Sequence, residues 1–234
     1  MKTKKIISVF GLLLFTLMLK AQLIRFYENG KTGYRDSSGA QIVSPVYDYG
    51  SDFSEGFALV VKNAQRGFIN SKGEEVISLQ FDDASCFHNG LAKVGASGNY
   101  GFINTNGEIS IPLQYQSAGD FVNGLARVQK NGKSGFIDTN GKIIIPLIYD
   151  DALDFSETLA AVKQNGKWGY IDVTGNFIIH PEFLMAMSFI NGEALVKEGD
   201  EQIYIDKKGK KKRDFFDEEE EERREAKKKG KSTF

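Results

Sequence analysis

The chain has 234 residues, 25 of them Gly and only 4 Pro, with 41% hydrophobic and 26% charged residues and a formal net charge of −1. This balance excludes a wholly disordered chain, a collagen-like chain and a polytopic membrane protein. The near-neutral charge gives no case for nucleic-acid binding, and a single Cys, Cys86, excludes an internal disulfide framework and a Cys-based zinc ribbon.

Residues 1–21 read as a secretory signal peptide. Lys2, Lys4 and Lys5 form a basic start, Ile6 to Leu19 an apolar run, and Leu19-Lys20-Ala21 a tolerable cleavage site. The apolar run is shorter than the roughly 20 residues of a transmembrane span. The mature chain is therefore expected outside the cytoplasm, in the periplasm, at the cell surface or secreted, with no membrane span.

From residue 22 to 206 the chain repeats itself every 34 residues without insertion or deletion. Gly33, Gly67, Gly101, Gly135 and Gly169 form one column, Phe53, Phe87, Phe121, Phe155 and Phe189 a second, and Ala58, Ala92, Ala126, Ala160 and Ala194 a third. Six units start at Leu23, Phe57, Leu91, Leu125, Leu159 and Glu193. The last is degraded: Lys210 to Arg213 stand where the fourth unit has an apolar stretch, and a polar terminal unit suits a capped array.

Within the fourth unit, Leu125 to Gln129 is a first strand and Asn131-Gly132 a type I′ hairpin turn. Ser134 to Asp138 is a second strand, Thr139-Asn140-Gly141 a second turn and Lys142 to Ile145 a third strand, which Pro146 stops. Residues 147–158 form a connector with room for one helical turn. Helical repeats of the same period are excluded, because each unit would place two or more Gly inside a helix at roughly 1 kcal/mol apiece. The fold class is all-β, a tandem array of three-stranded antiparallel units. Units of this size must stack to bury a core, with the Ala and Phe columns between them. An open β-solenoid-like array is favoured by the short unit and the polar last unit, and a closed six-bladed propeller-like ring is the alternative.

Residues 207–234 change character, with twelve Lys/Arg against eight Asp/Glu. This tail reads as solvated or as a short helix over 214–229, acidic early and basic late. A tether to an anionic surface or partner is the sharper reading.

Gly166 to Phe183, GKWGYIDVTGNFIIHPEF, resembles a WG-repeat (KWG-type) unit, a bacterial module, and the likeness extends over about residues 23–210. The Trp-Gly pair itself occurs once, as Trp168-Gly169, while Gly-aromatic-Ile-Asp/Asn recurs, as in Gly135 to Asp138. The resemblance implies an extracytoplasmic or modular repeat scaffold, and it implies no catalytic residues.

No enzyme motif is present: no HExxH, GxSxG, P-loop or dinucleotide fingerprint. The chain is accordingly read as non-catalytic, without metal or cofactor. His88 and His180 sit at different repeat positions and do not form a ligand set. The Asp/Asn column of Asp36, Asn70, Asn104, Asp138, Asp172 and Asp206 reads as turn chemistry, with calcium the weaker alternative. The column before the second-strand Gly is variable: Thr32, Arg66, Tyr100, Ser134 and Trp168. Tyr100, Trp168 and Arg66 are the candidate binding residues, exposed anchors for a protein, a cell-envelope polymer or a sugar ring. The expected function is a secreted or envelope scaffold that binds protein or another macromolecule, with carbohydrate or cell-wall binding as the alternative.

Overall fold

The computed structural model describes residues 23–215, so the leader expected over 1–21 and the tail beyond 215 lie outside it. Six antiparallel sheets follow one another along the chain. Sheet one contains β1 (Ile24–Glu28), β2 (Lys31–Arg35) and β3 (Gln41–Tyr47). Sheet two contains β4 (Tyr49–Gly50), β5 (Phe57–Lys62), β6 (Gln65–Asn70) and β7 (Glu75–Phe81). Sheet three contains β8 (Asp83–Ala84), β9 (Leu91–Ala96), β10 (Asn99–Asn104) and β11 (Ile109–Tyr115). Sheet four contains β12 (Ser117–Ala118), β13 (Leu125–Lys130), β14 (Lys133–Asp138) and β15 (Ile143–Tyr149). Sheet five contains β16 (Asp151–Ala152), β17 (Ala160–Gln164), β18 (Lys167–Ile171) and β19 (Phe177–Phe183). Sheet six contains β20 (Met185–Ala186), β21 (Glu193–Glu198), β22 (Glu201–Asp206) and β23 (Lys211–Asp214). Strand order within every sheet is sequence order, so each is a meander.

The all-β repeat is as expected, but the unit differs in three ways. First, sheets two to six have four strands. The connector holds no helical turn; it is a hairpin whose first arm adds a two-residue strand to the next sheet, as Ser117 and Ala118 do opposite Gln129 and Val128. Its turn, Asn123-Gly124, has positive φ at both residues (52° and 79°), and Val122 bridges Leu125 across it. Two residues are too few to show a period of two, so this strand leaves no pattern. Secondly, Pro146 does not end its strand: β15 runs through it to Tyr149. β15 is an edge strand with a register shift at this point, so the missing N–H removes no ladder bond. Thirdly, Lys211–Asp214, assigned to the tail on sequence, pairs with β22 as the last strand of sheet six.

The second-strand glycine explains itself at that same shift. A Cβ on Gly135 would lie 2.6 Å from the carbonyl oxygens of Ile145 and Pro146. Only a residue without a side chain lets β15 cross β14 so closely.

Adjacent sheets stack through one apolar cluster each, five clusters for six sheets. Between sheets four and five, Leu125, Phe136, Ile145 and Tyr149 meet Ala152, Phe155, Ala160, Val162 and Ile171. The Ala column is buried at every unit, and its small side chain admits the neighbouring aromatic. In the Phe column, Phe87, Phe155 and Phe189 are buried, and Phe53 and Phe121 half-buried. Among the described residues, no closely packed strand pair joins sheet one to sheet six. The array is open.

Candidate functional site

The variable column lies at the junctions between sheets. Thr32 and Ser134 are fully buried, and Arg66, Tyr100 and Trp168 are half-buried. Each stands across the ladder from a buried aromatic: Arg66 opposite Phe81, Tyr100 opposite Tyr115, Trp168 opposite Phe183. Arg66 donates to the carbonyl of Asp82 and lies 3.6 Å from the Asp83 carboxylate, tying β6 to the start of sheet three. Tyr100 packs on the cluster between sheets three and four. Trp168 packs on the cluster between sheets five and six, with the Lys163 ammonium 6.0 Å from its ring centre. All three are half-buried rather than fully exposed. These side chains are the variable filling of successive junctions, one per sheet, and the structure does not bring the three together.

The Asp/Asn column makes turns. Asp172 Oδ1 accepts from the N–H of Thr174 at 2.9 Å and of Asn176 at 3.0 Å, and Asn104 Oδ1 accepts from Asn106 at 2.9 Å and Glu108 at 3.0 Å. The Thr174 hydroxyl and these N–H groups hold the Asp172 carboxyl below its usual range. Among the described residues no three His, Cys, Asp or Glu side chains cluster to suit a metal ion. His180 lies against the Phe177 ring, 5.5 Å between centroids, and Cys86 packs half-buried on the cluster between sheets two and three.

The feature that sequence reasoning missed is on the free edges. The last strand of each sheet is an edge strand, and its outward positions are the alternate ones. In β7 they are Val76, Ser78 and Gln80, and in β11 Ser110, Pro112 and Gln114. In β15 all three are apolar: Ile144, Pro146 and Ile148, with the two isoleucines 38% and 50% exposed. Ile143, at the register shift, is 54% exposed. Beside them is an open cavity of about 300 Å³ lined by Lys130, Asn131, Lys133, Ile143, Pro146 and Leu147. Its lysines are held in place, Lys133 by Asp150 at 2.7 Å and Lys130 by Gln114 Oε1 at 2.7 Å. Ile109 on β11 and Ile178 on β19, in the flanking sheets, are also exposed, at 61% and 46%. The sequence signal was there: Ile143 to Tyr149 is apolar at every position, which a one-sided edge strand does not need.

A family model described as WG containing repeat matches residues 33–64, 67–98, 100–133, 135–168 and 168–201. No curated protein matches the chain. Among solved structures, a crystal structure of a eukaryotic initiation factor is similar at 9% identity with a TM-score of 0.51, covering 82% of this chain and 62% of that one. The chain thus spans less than two thirds of that structure's length. Hsv2 from Kluyveromyces lactis, with its complete loop 6CD, is similar at 8% identity with a TM-score of 0.50, covering 80% of this chain and 70% of that one. These likenesses show the fold alone, which is β-propeller-like. The family match falls on the repeat that the sequence displays and on the sheets that the structure stacks: the chain belongs to the WG containing repeat family.

Proposed function

We propose that this protein is a non-catalytic scaffold that works outside the cytoplasm and binds a protein partner along the free edges of sheets three to five, centred on β15. The observation that carries this reading is the exposed apolar edge of Ile143, Ile144 and Ile148, with Ile109 and Ile178 exposed on the edge strands of the flanking sheets. An edge strand with apolar outward residues is a liability unless something covers it. The repeat family and the propeller-like fold support a scaffold, and the leader pattern of residues 1–21 supports export.

The test compares captures from an envelope extract of the source cells. Ile144→Lys with Ile148→Lys is expected to lower partner recovery more than about tenfold, as loss of an apolar anchor does. Trp168→Ala is expected to keep it. Equal recovery by the β15 variant refutes the surface, and loss with Trp168→Ala alone moves the site to the junction column.

A further inference from the structure

Sheets two to six each have a two-residue strand beside their first long strand, and among the described residues sheet one does not. β1 is therefore an edge strand. Asn29-Gly30 is a two-residue turn closed by the pair Glu28 and Lys31, so Phe26 and Ile24 also exchange backbone hydrogen bonds with β2. The N–H and C=O of Arg25 and Tyr27 point the other way, off the sheet, and have no backbone partner among the described residues.

In every other sheet the chain itself fills the equivalent carbonyls. The residue before each two-residue strand donates its N–H to one, and the residue after it donates to the other, at 2.7 to 3.0 Å. In sheet five, Asp150 donates to Lys163 and Leu153 to Ala161. The first of these residues also caps the hairpin of the sheet it joins. Side-chain oxygens of Asp48, Asp82, Gln116 and Asp150 accept from the N–H groups of Asn63, Ser97, Gly132 and Gly166 respectively. Asn29 and Gly30, which carry the equivalent N–H groups in sheet one, are exposed.

The side chains beside this edge also depart from the other sheets. Ile24 stands in the Ala column, and Arg35 in a column of isoleucines that are buried in sheets two to six. Both are exposed, on the face turned away from sheet two. Arg35 sets its guanidinium 5.8 Å from the Phe26 ring centre and has no ion-pair partner among the described residues. Tyr27 is 62% exposed. β1 has neither the proline of β3, β11, β15 and β19 nor the lysines of β23 to blunt it.

We propose that β1 receives an extended acidic segment of a partner protein, added antiparallel to it as a fourth strand of sheet one. The first residue is an Asp. Its N–H bonds the Tyr27 carbonyl and its carboxylate takes the Asn29-Gly30 turn. The second residue lies opposite Tyr27 and the third opposite Phe26, and the fourth donates to the Arg25 carbonyl. No preceding sheet limits the third side chain, so it need not be Gly or Ala, as it is within the chain. The unpaired Arg35 on that face favours an acidic segment. Backbone pairing supplies the affinity, as in other cases of strand addition, and the site is separate from the β15 edge.

The probe is a synthetic peptide of residues 148–155, whose own place in sheet five is filled in the folded chain. Amide exchange is read on the full chain by NMR. The Arg25 and Tyr27 amides are expected to exchange fast without peptide and about tenfold more slowly at saturation, with β9, β13, β17 and β21 unchanged. N-methylation of the peptide at Asp150 and Leu153, which removes both donors, is expected to weaken binding more than about tenfold. N-methylation at Ala152, whose N–H points away from the receiving strand in sheet five, is expected to leave binding nearly unchanged. Arg35→Glu is expected to weaken the peptide about fivefold or more. No slowing at Arg25 and Tyr27, or equal binding by the two methylated peptides, overturns the proposal. Protection of these amides before peptide is added also overturns it. If independent of protein concentration, it assigns the edge to the chain's own residues outside 23–215, and if rising with concentration, to a second copy.

Discussion

At the scale of single residues, most of the glycine content is turn chemistry, and the exceptions are informative. The first hairpin turn of units one to five has positive φ at two residues. Asn131-Gly132 supplies it at 53° and 70°. In sheet two the second position is Ala64, held at 62°. In the connector hairpin the matching exception is Thr158, held at 78° where the other units have Gly56, Gly90, Gly124 and Gly192. Both exceptions are exposed. A left-handed conformation strains any side chain with a Cβ, a β-branched one most. Ala64→Gly and Thr158→Gly are each expected to stabilise by about 1 kcal/mol, after the entropy that Gly adds to the unfolded chain is subtracted. Urea unfolding checks this, and a loss of stability in both would refute the strain. Such turns were legible because they are local: Asn-Gly and Asp-x-x-Gly carry their own geometry. The burial of Thr32 and Ser134 was not legible, since it depends on the facing sheet. Neither hydroxyl has a protein hydrogen-bond partner in the structure. We find no physical reason for a hydroxyl at either position.

At the scale of elements, exposed carboxylates stitch the turns and junctions together. Asp36 and Asp172 are held below the usual carboxyl range by the hydroxyls of Ser38 and Thr174 and by N–H groups of their own turns. Asp206 is lowered by the N–H groups of Lys210 and Lys208. Asp48, Asp150 and Glu157 are lowered first by Lys31, Lys133 and Lys207, and then by backbone N–H groups of the next hairpin. All six have folded values below their unfolded ones. Their contribution to stability is therefore complete above the ordinary carboxylate pKa of about 4 and is lost as pH falls through the lowered values. The urea midpoint is expected to be level from neutral pH to about pH 5 and to drop below about pH 4. Asp36→Asn, Asp172→Asn and Asp206→Asn together are expected to flatten that drop while keeping the fold at neutral pH. Asn70 already makes the same turn, accepting from Lys72 at 2.9 Å and Glu74 at 3.1 Å. An unchanged acid slope in the triple variant would remove these turns from the account. Elements were legible where they spanned enough residues to show alternation. The short strands β4, β8, β12, β16 and β20 were hidden, although the Ala and Phe columns beside them marked the stacking surface correctly.

At the scale of the whole molecule, six sheets with five junctions make stability a chain of neighbour terms. The tandem all-β array was legible from the unbroken period of 34. The apolar free edge was not, because an all-apolar strand reads equally as one buried on both faces. Openness has a mechanical consequence. In a closed ring each sheet is braced on two sides, and loosening one junction is shared around the circle. In an open array a damaged junction weakens the two sheets that meet there and divides the chain into two blocks. Phe136 is fully buried and packs on Phe155 between sheets four and five. Phe136→Ala is expected to cost about 3–5 kcal/mol, the range for truncating a buried Phe. Amide protection is expected to fall most in β13, β14, β17 and β18, and least in sheet one, which keeps its own junction through Tyr34 and Phe53. An equal fall in all six sheets would show a single cooperative body, and the ends of the array would then have to be coupled through contacts beyond the strands described. A graded fall, steepest at the fourth junction, assigns each sheet the stability of its own neighbours, and it leaves the β15 edge free to be altered without unfolding the rest.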